Sequence, residues 1–241
     1  MRKVLITGAN KSIGFETARQ LLNQGYFVYL GSRDVAKGEE AVAKLKEEGL
    51  ENVEVLQIDV TDIESIAAAR KQLDTLDVLI NNAGILGGIP QTAIGTSTDV
   101  IREVFDTNFF GVINVTQAFI DLLKKSDEPR IVNVTSGLGS LTLHSDPTWK
   151  YYNIKNAAYG PSKTALNAYT VALAHELKDT NFKVNAVDPG YTATDFNHHS
   201  GPGSVEDAAK IIVKYATIGA DGPNGKYFSN DIEDEGQESP W

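Results

Sequence analysis

Short apolar runs rich in Val, Ile, Leu and Tyr alternate with helical patterns along almost the whole chain, and this alternation restricts the fold more than any other feature. The runs are KVLIT, YFVYLG, VEVLQID, LDVLINN, RIVNVTS, KVNAVDP and GKYFS, and the helical stretches between them fall near 13–24, 34–48, 62–73, 99–125, 159–178 and 204–217. Repeated strand–helix–strand units build a parallel sheet, whose strands are continuously apolar because helices cover both faces. Right-handed crossovers then give an α/β fold: one domain over 1–241 with a doubly wound, Rossmann-type parallel sheet of about seven strands and helices on both faces. Ligands of such sheets bind outside the carboxyl ends of the strands, so the residues just after each run are the ones to search.

Within AAYGPSKTALNAYTVALAHEL the spacing predicts a buried amphipathic helix with Ala165, Leu166, Tyr169, Ala172 and Leu173 on or near one face. Three connectors are too long for plain turns. ILGGIPQTAIGTST (85–98) and GLGSLTLHSDPTWKYYNIKNAA (137–158) are expected to shape a substrate pocket, and YTATDFNHHSGPGS (191–204) to act as a mobile lid.

The net charge of −10 argues against a nucleic-acid partner, since a phosphate-binding face needs a basic surplus. Asp231, Glu233, Asp234, Glu235 and Glu238 crowd into NDIEDEGQESPW, which reads as a solvated tail. Cysteine is absent, so disulfides and thiolate metal sites are ruled out. Only Val4, Leu5 and Ile6 separate Arg2-Lys3 from Thr7, too few for a signal-peptide core, and no apolar run is long enough for a bilayer. The expectation is a cytoplasmic protein with no membrane partner.

TGANKSIG (7–14) closes the first strand and opens the first helix. Free N–H groups and the helix dipole of such a turn favour a pyrophosphate, with Gly8, Asn10, Lys11, Ser12, Ile13 and Gly14 as the cradle; the bland alternative is a tight turn with no ligand. Ser12 stands where a second glycine is expected, and any positive φ there costs about 1 kcal/mol more than for glycine. The second strand ends in GSRD, where arginine pairs with a ribose 2′-phosphate and a carboxylate instead holds a 2′-hydroxyl. Arg33, with Lys11 as a second charge, therefore points to NADP(H), and Asp34 reads as the N-cap of the following helix. Asp59, beside Val60 at the end of the third strand, either accepts from the adenine amino group or merely turns the chain before Thr61.

YGPSK places Tyr159 and Lys163 one helical turn apart on one face. Lowering a phenol from about 10 by three units needs roughly 4 kcal/mol, which one cation at about 4 Å supplies at an effective dielectric near 20. Such pairs also arise as ordinary solvated helix faces. Ser136 ends the fifth strand, where its hydroxyl would reach a carbonyl oxygen. Asn108 and Gly111 are poor helix formers inside 99–125, so a bent or opened turn is expected there, unless they only accommodate helix packing. Adjacent His198-His199 lack a spaced ligand set, and no metal site is expected. Tyr191, Trp149, Tyr151, Tyr152 and Phe196 are candidate apolar pocket walls, or else pack their own loops.

TGANKSIG, NNAG (81–84), DTNFFG, VNVTS, YGPSK and DPGYTATD (188–195), in this order and spacing, resemble the short-chain dehydrogenase/reductase family over nearly the whole chain. GANKSIG, GSRDVAKG, TNFFG and the terminal PW look most like its NADPH-dependent carbonyl reductase branch. The resemblance implies a tetrad of Asn108, Ser136, Tyr159 and Lys163 acting on a small carbonyl or alcohol substrate. Tyr159 would protonate the carbonyl oxygen, Ser136 would orient it, and Lys163 would hold the nicotinamide ribose and lower the Tyr159 pKa. Asn108 would steady a water linked to Lys163. Asn82, Ala83 and Gly84 would support the sheet and touch the ribose, while Pro189, Gly190, Thr192 and Thr194 would flank the nicotinamide. Asp188 departs from the asparagine that often precedes the Pro-Gly pair. The family's dimers and tetramers, and the monomers of the carbonyl reductase branch, leave assembly open. An NAD-preferring alcohol dehydrogenase and a catalytically silent NADP-binding regulatory protein are the competing functional readings.

Overall fold

The computed structural model describes residues 1–232 and 237–241. Strands β1 (Lys3–Ile6), β2 (Phe27–Ser32), β3 (Val53–Gln57), β4 (Val78–Asn81), β5 (Arg130–Val134), β6 (Lys183–Asp188) and β7 (Tyr227–Ser229) are all parallel. The sheet order is β3-β2-β1-β4-β5-β6-β7-β8, so the chain winds outward in both directions from the β1/β4 pair. The seven expected strands are joined by a two-residue eighth, β8 (Gln237–Glu238), which pairs antiparallel with β7.

That strand comes from the acidic stretch read as a solvated tail. Glu238 is indeed exposed, but Ser239 is buried, and the Trp241 ring lies 5.6 Å from that of Tyr227. The closing residues fold back because Pro240 and Trp241 offer carbonyls to the Ser140 hydroxyl and the Thr142 N–H. Glu233, Asp234 and Glu235 lie outside the described residues.

Helices α1 (Ser12–Asn23), α2 (Val35–Glu47) and α8 (Val205–Ala216) cover one face of the sheet, and α3 (Ile63–Arg70), α5 (Gly111–Leu123) and α7 (Tyr159–Glu176) the other. Their cores are separate: Leu21, Leu45 and Ile212 meet Val4, Ile6 and Val28, while Ile66, Phe119 and Leu173 meet Leu5, Leu79 and Ile131. Adjacent strand residues thus feed opposite cores, which is why the strands read as unbroken apolar runs. Local caps start several helices where the sequence puts them: Asp34 accepts from Lys37 N–H, Asp62 from Glu64 N–H and Ser204 from Asp207 N–H.

The single helix expected over 99–125 is broken. It comprises α4 (Thr98–Phe105), a π-helical turn (Asp106–Phe110) and α5. Asn108 is fully buried in that turn. A Cβ on Gly111 would lie 3.0 Å from the Val60 carbonyl oxygen, so the glycine admits the loop after β3 rather than a second helix. The buried face of α7 also differs from the expected one. Leu166 and Leu173 are buried, Ala165 and Tyr169 are half-buried, and Ala172 is exposed. The buried face carries polar groups as well, because Asn167 bonds Thr135 and Thr170 bonds Asn133 across to β5.

Candidate active site

The ends of six parallel strands open onto one cleft of about 980 Å³. Gly8 and Gly14 fix its floor. Gly8 adopts φ +63°, and a Cβ there would lie 2.9 Å from the Ala83 Cα; one on Gly14 would lie 2.7 Å from the Gly8 carbonyl oxygen. Only bare backbone fits this approach. Asn82 holds the turn from beneath by donating to the Thr7 and Gly8 carbonyls, and Thr7 Oγ1 accepts from the Asn82 and Ala83 N–H groups. Ser12 takes a positive φ of +52°, so the position expected for glycine keeps glycine geometry with a serine in it.

Asn10, Lys11, Ser12, Ile13, Arg33, Asp59 and Val60 line the same end of the cleft. Arg33 is exposed and makes no ion pair with the described residues, whereas Lys11 lies 3.3 Å from Asp195 across the cleft mouth. Asp34 is spent on capping α2. One oxygen of Asp59 accepts from both the N–H and hydroxyl of Thr61, which makes it the turn residue of the plainer alternative while it still faces the cleft.

At the other end, Ser136, Tyr159 and Lys163 line the wall and Asn108 lies behind it. A hydrogen bond joins the Ser136 and Tyr159 side chains, and the Lys163 Nζ lies 5.7 Å from the Tyr159 ring centroid. Lys163 donates to the Val134 carbonyl at 2.8 Å. Asn108 accepts from Ile85 N–H and donates to the Ile85 carbonyl and Ser162 Oγ, so its side chain pins the segment after β4. Gly84 lies between them, its notional Cβ 3.3 Å from Asn108 Oδ1 and 3.7 Å from Lys163 Nζ.

The expected acidification of Tyr159 is not what this environment produces. Burial pushes the phenol well above its ordinary value, the Ser136 hydrogen bond pulls it part of the way back, and the Asp188 charge raises it again. Burial likewise brings Lys163 down to about 8, against an opposing pull from Asp188. Desolvation of both groups therefore outweighs the attraction inferred from their spacing.

Pro189, Gly190, Thr192 and Thr194 close the cleft beside Tyr159, and the Phe196 ring packs 5.4 Å from the Tyr159 ring. Tyr151 and Tyr191 also face the cleft. Trp149 instead packs between His144 and Tyr151, and Tyr152 lies under Lys155, so these two belong to their own loop. His199 bonds Asp195.

Gln91 was missed from sequence. Its side chain is buried; Oε1 accepts from the N–H groups of Ala158 and Tyr159, and Nε2 donates to the Leu86 and Gly88 carbonyls. It is the remote cap of α7, whose own N-cap position, Ala158, has no group to offer. The missing local cap was the one signal available.

A family model for short chain dehydrogenase matches residues 2–204. The chain belongs to the short-chain dehydrogenase family. It is 33% identical to the (+)-neomenthol dehydrogenase of Capsicum annuum, with 94% of this chain and 95% of that protein covered. That alignment runs over 301 positions against a chain of 241 residues, so the pepper enzyme carries insertions that this chain lacks. Among solved structures, salutaridine reductase from Papaver somniferum superimposes with a TM-score of 0.81 at 33% identity, covering 94% of this chain and 99% of that one. An NADPH-bound carbonyl reductase from chicken fatty liver gives a TM-score of 0.84 at 25% identity, covering 100% and 99%. The protein is thus an oxidoreductase of this family. No helix among its described residues is long and apolar enough to cross a membrane.

Proposed function

We propose that this short-chain dehydrogenase is an NADP(H)-dependent carbonyl reductase. One observation carries the reading: a hydroxyl pair, Ser136 and Tyr159, backed by a buried lysine, shares a cleft with a glycine-floored turn and with Arg33, which makes no ion pair among the described residues. The residues fit the coenzyme, because Gly8 and Gly14 keep the floor of the cleft as bare backbone, which a pyrophosphate can approach, and Arg33 offers the forked donor that a 2′-phosphate takes. Asp34, the carboxylate next to Arg33 in sequence, caps the following helix. The likeness to an NADPH-bound carbonyl reductase supports the same choice.

When bound, reduced nicotinamide supplies the hydride. Gly8, Asn10, Ser12, Ile13 and Gly14 would hold the pyrophosphate, Arg33 and Lys11 the 2′-phosphate, Asp59 and Val60 the adenine side, and Asn82, Ala83, Gly84, Pro189, Gly190, Thr192 and Thr194 the nicotinamide half. Ser136 donates to the substrate carbonyl oxygen and orients it. Tyr159 gives that oxygen its proton as general acid. Lys163 binds ribose hydroxyls and relays a replacement proton, and Asn108 keeps the segment beside it in place.

The raised phenol favours this direction. Tyr159 is fully protonated near neutrality, and an alkoxide binds a proton about as tightly as hydroxide, with an acid partner near 16, so transfer from the phenol stays downhill. Alcohol oxidation needs the phenolate and is confined to alkaline pH. Initial rates on a ketone panel with NADPH and NADH test the reading. The expected result is at least about tenfold higher kcat/KM with NADPH, a preference that Arg33→Ala reduces; a strong NADH preference overturns it.

A further inference from the structure

Asp188 ends β6 immediately before the Pro189–Gly190 turn, is 2% exposed, and has no part in the steps above. Three separate segments converge on its carboxylate. Ser229 Oγ, at the end of β7, donates to Oδ2 at 2.6 Å; the Gly190 N–H donates to Oδ1 at 3.0 Å; and Gly137, in the turn that follows Ser136, packs against it, a notional Cβ there lying 3.3 Å from Oδ2. The ends of β5, β6 and β7 are therefore brought together at one point.

Titratable and charged groups face this carboxylate from every side. Tyr159 and Lys163 come from α7, Tyr227 from β7, Tyr151 from the 137–158 segment and Asp231 from the residues after β7. Asp231 is itself held by Lys150 Nζ at 3.1 Å and the Tyr151 hydroxyl at 3.3 Å. Burial, together with the Asp231 charge, outweighs these donors and keeps the Asp188 carboxyl well above the usual carboxylate range. When ionised, Asp188 strengthens the hold of Tyr159, Lys163, Tyr151 and Tyr227 on their protons.

We propose that Asp188 is a positioning residue of the reductase site: its carboxylate clamps the Ser136 turn to the Pro189–Gly190 turn and sets the field in which Tyr159 holds its proton. The proposal rests on the reading of Tyr159 as the proton donor. The negative charge adds to burial in holding the phenol in the acid form that carbonyl reduction uses, and it opposes the phenolate that alcohol oxidation uses. An asparagine at 188 preserves the shape and an acceptor oxygen but removes the charge.

The test compares wild type with Asp188→Asn, Ser229→Ala and Asp231→Asn, read in two ways. In the protein without coenzyme, the Asp188 carboxyl carbon, assigned through its bonds to the Asp188 backbone, is followed by NMR against pH, and the Tyr159 ring carbon bonded to oxygen is followed alongside. Asp188 is expected to titrate at least two units above an exposed aspartate, at about 3.9, higher still in Ser229→Ala and lower in Asp231→Asn; Tyr159 is expected to ionise about 0.5–1 unit lower in Asp188→Asn. In turnover, the alkaline rise of alcohol oxidation with NADP+ is expected to move down by the same amount in kcat, with substrate KM changed less than about threefold. A carboxyl titrating with exposed aspartates overturns the proposal, as does a Tyr159 titration unmoved in Asp188→Asn. If Asp188→Asn does not fold, the opposite movements in Ser229→Ala and Asp231→Asn decide, and movements in one direction or none overturn it. A protein that turns over no ketone or alcohol with either coenzyme refutes the reductase reading instead, and the two NMR titrations still judge the clamp.

Discussion

Ser12 holds a left-handed backbone that costs an L-residue about 1–2 kcal/mol and glycine almost nothing. Part of that difference is offset because glycine loses more freedom on folding. Ser12→Gly is therefore expected to raise unfolding stability by about 0.5–1 kcal/mol in urea titrations, with NADPH affinity changed less than about threefold; a destabilised variant would mean that the hydroxyl makes a contact the turn depends on. Residues whose roles are local were legible in this way. The steric need at Gly8 and Gly14, the cap at Asp34 and the support from Asn82 all follow from neighbours in sequence or from the strand ends they occupy. The proton affinity of Tyr159 was not legible, because spacing gives the distance to one cation and nothing about how much water burial removes.

At the scale of elements, the best example is α7. It presents Tyr159 and Lys163 from its first two turns, yet begins at Ala158 without a local cap. Gln91, sixty-eight residues before Tyr159, supplies the acceptor and ties the 85–98 loop to the proposed proton donor. Gln91→Ala strips the acceptor from two N–H groups and the donor from two carbonyls, so it is expected to cost about 2–3 kcal/mol of stability. It should also lower kcat more than it raises coenzyme KM, read by chemical denaturation and steady-state kinetics; a normal kcat would mean that the loop and the tyrosine are uncoupled. The π turn between α4 and α5 was foreseen as a weak point from Asn108 and Gly111, since both residue types disfavour helix interiors. What fills the bend, the Val60 carbonyl beside Gly111, comes from another element and left no trace in the sequence.

For the whole molecule, the parallel sheet and its two helical layers were readable because strands buried on both faces must be continuously apolar. The C-terminal residues were not, since their acidic composition hid the pairing of β8 with β7 and the packing of Trp241 on Tyr227. These contacts join the sheet edge to the segment just after Ser136. Trp241→Ala is expected to remove about 1–2 kcal/mol of stability, appropriate to a half-buried indole, and to lower Tm by several degrees in calorimetry; an unchanged Tm would show that the strap adds nothing. Across the cleft mouth, the exposed Lys11–Asp195 pair is worth less than about 1 kcal/mol.

The most direct measurement of the central claim pairs turnover with binding in Tyr159→Phe, which removes one hydroxyl from a half-buried ring on the cleft wall. Ketone reduction with NADPH is expected to fall by at least about 10²-fold in kcat while the NADPH Kd stays within about threefold of wild type. A variant that reduces the ketone within a factor of a few of wild type would contradict the assignment of Tyr159 as proton donor.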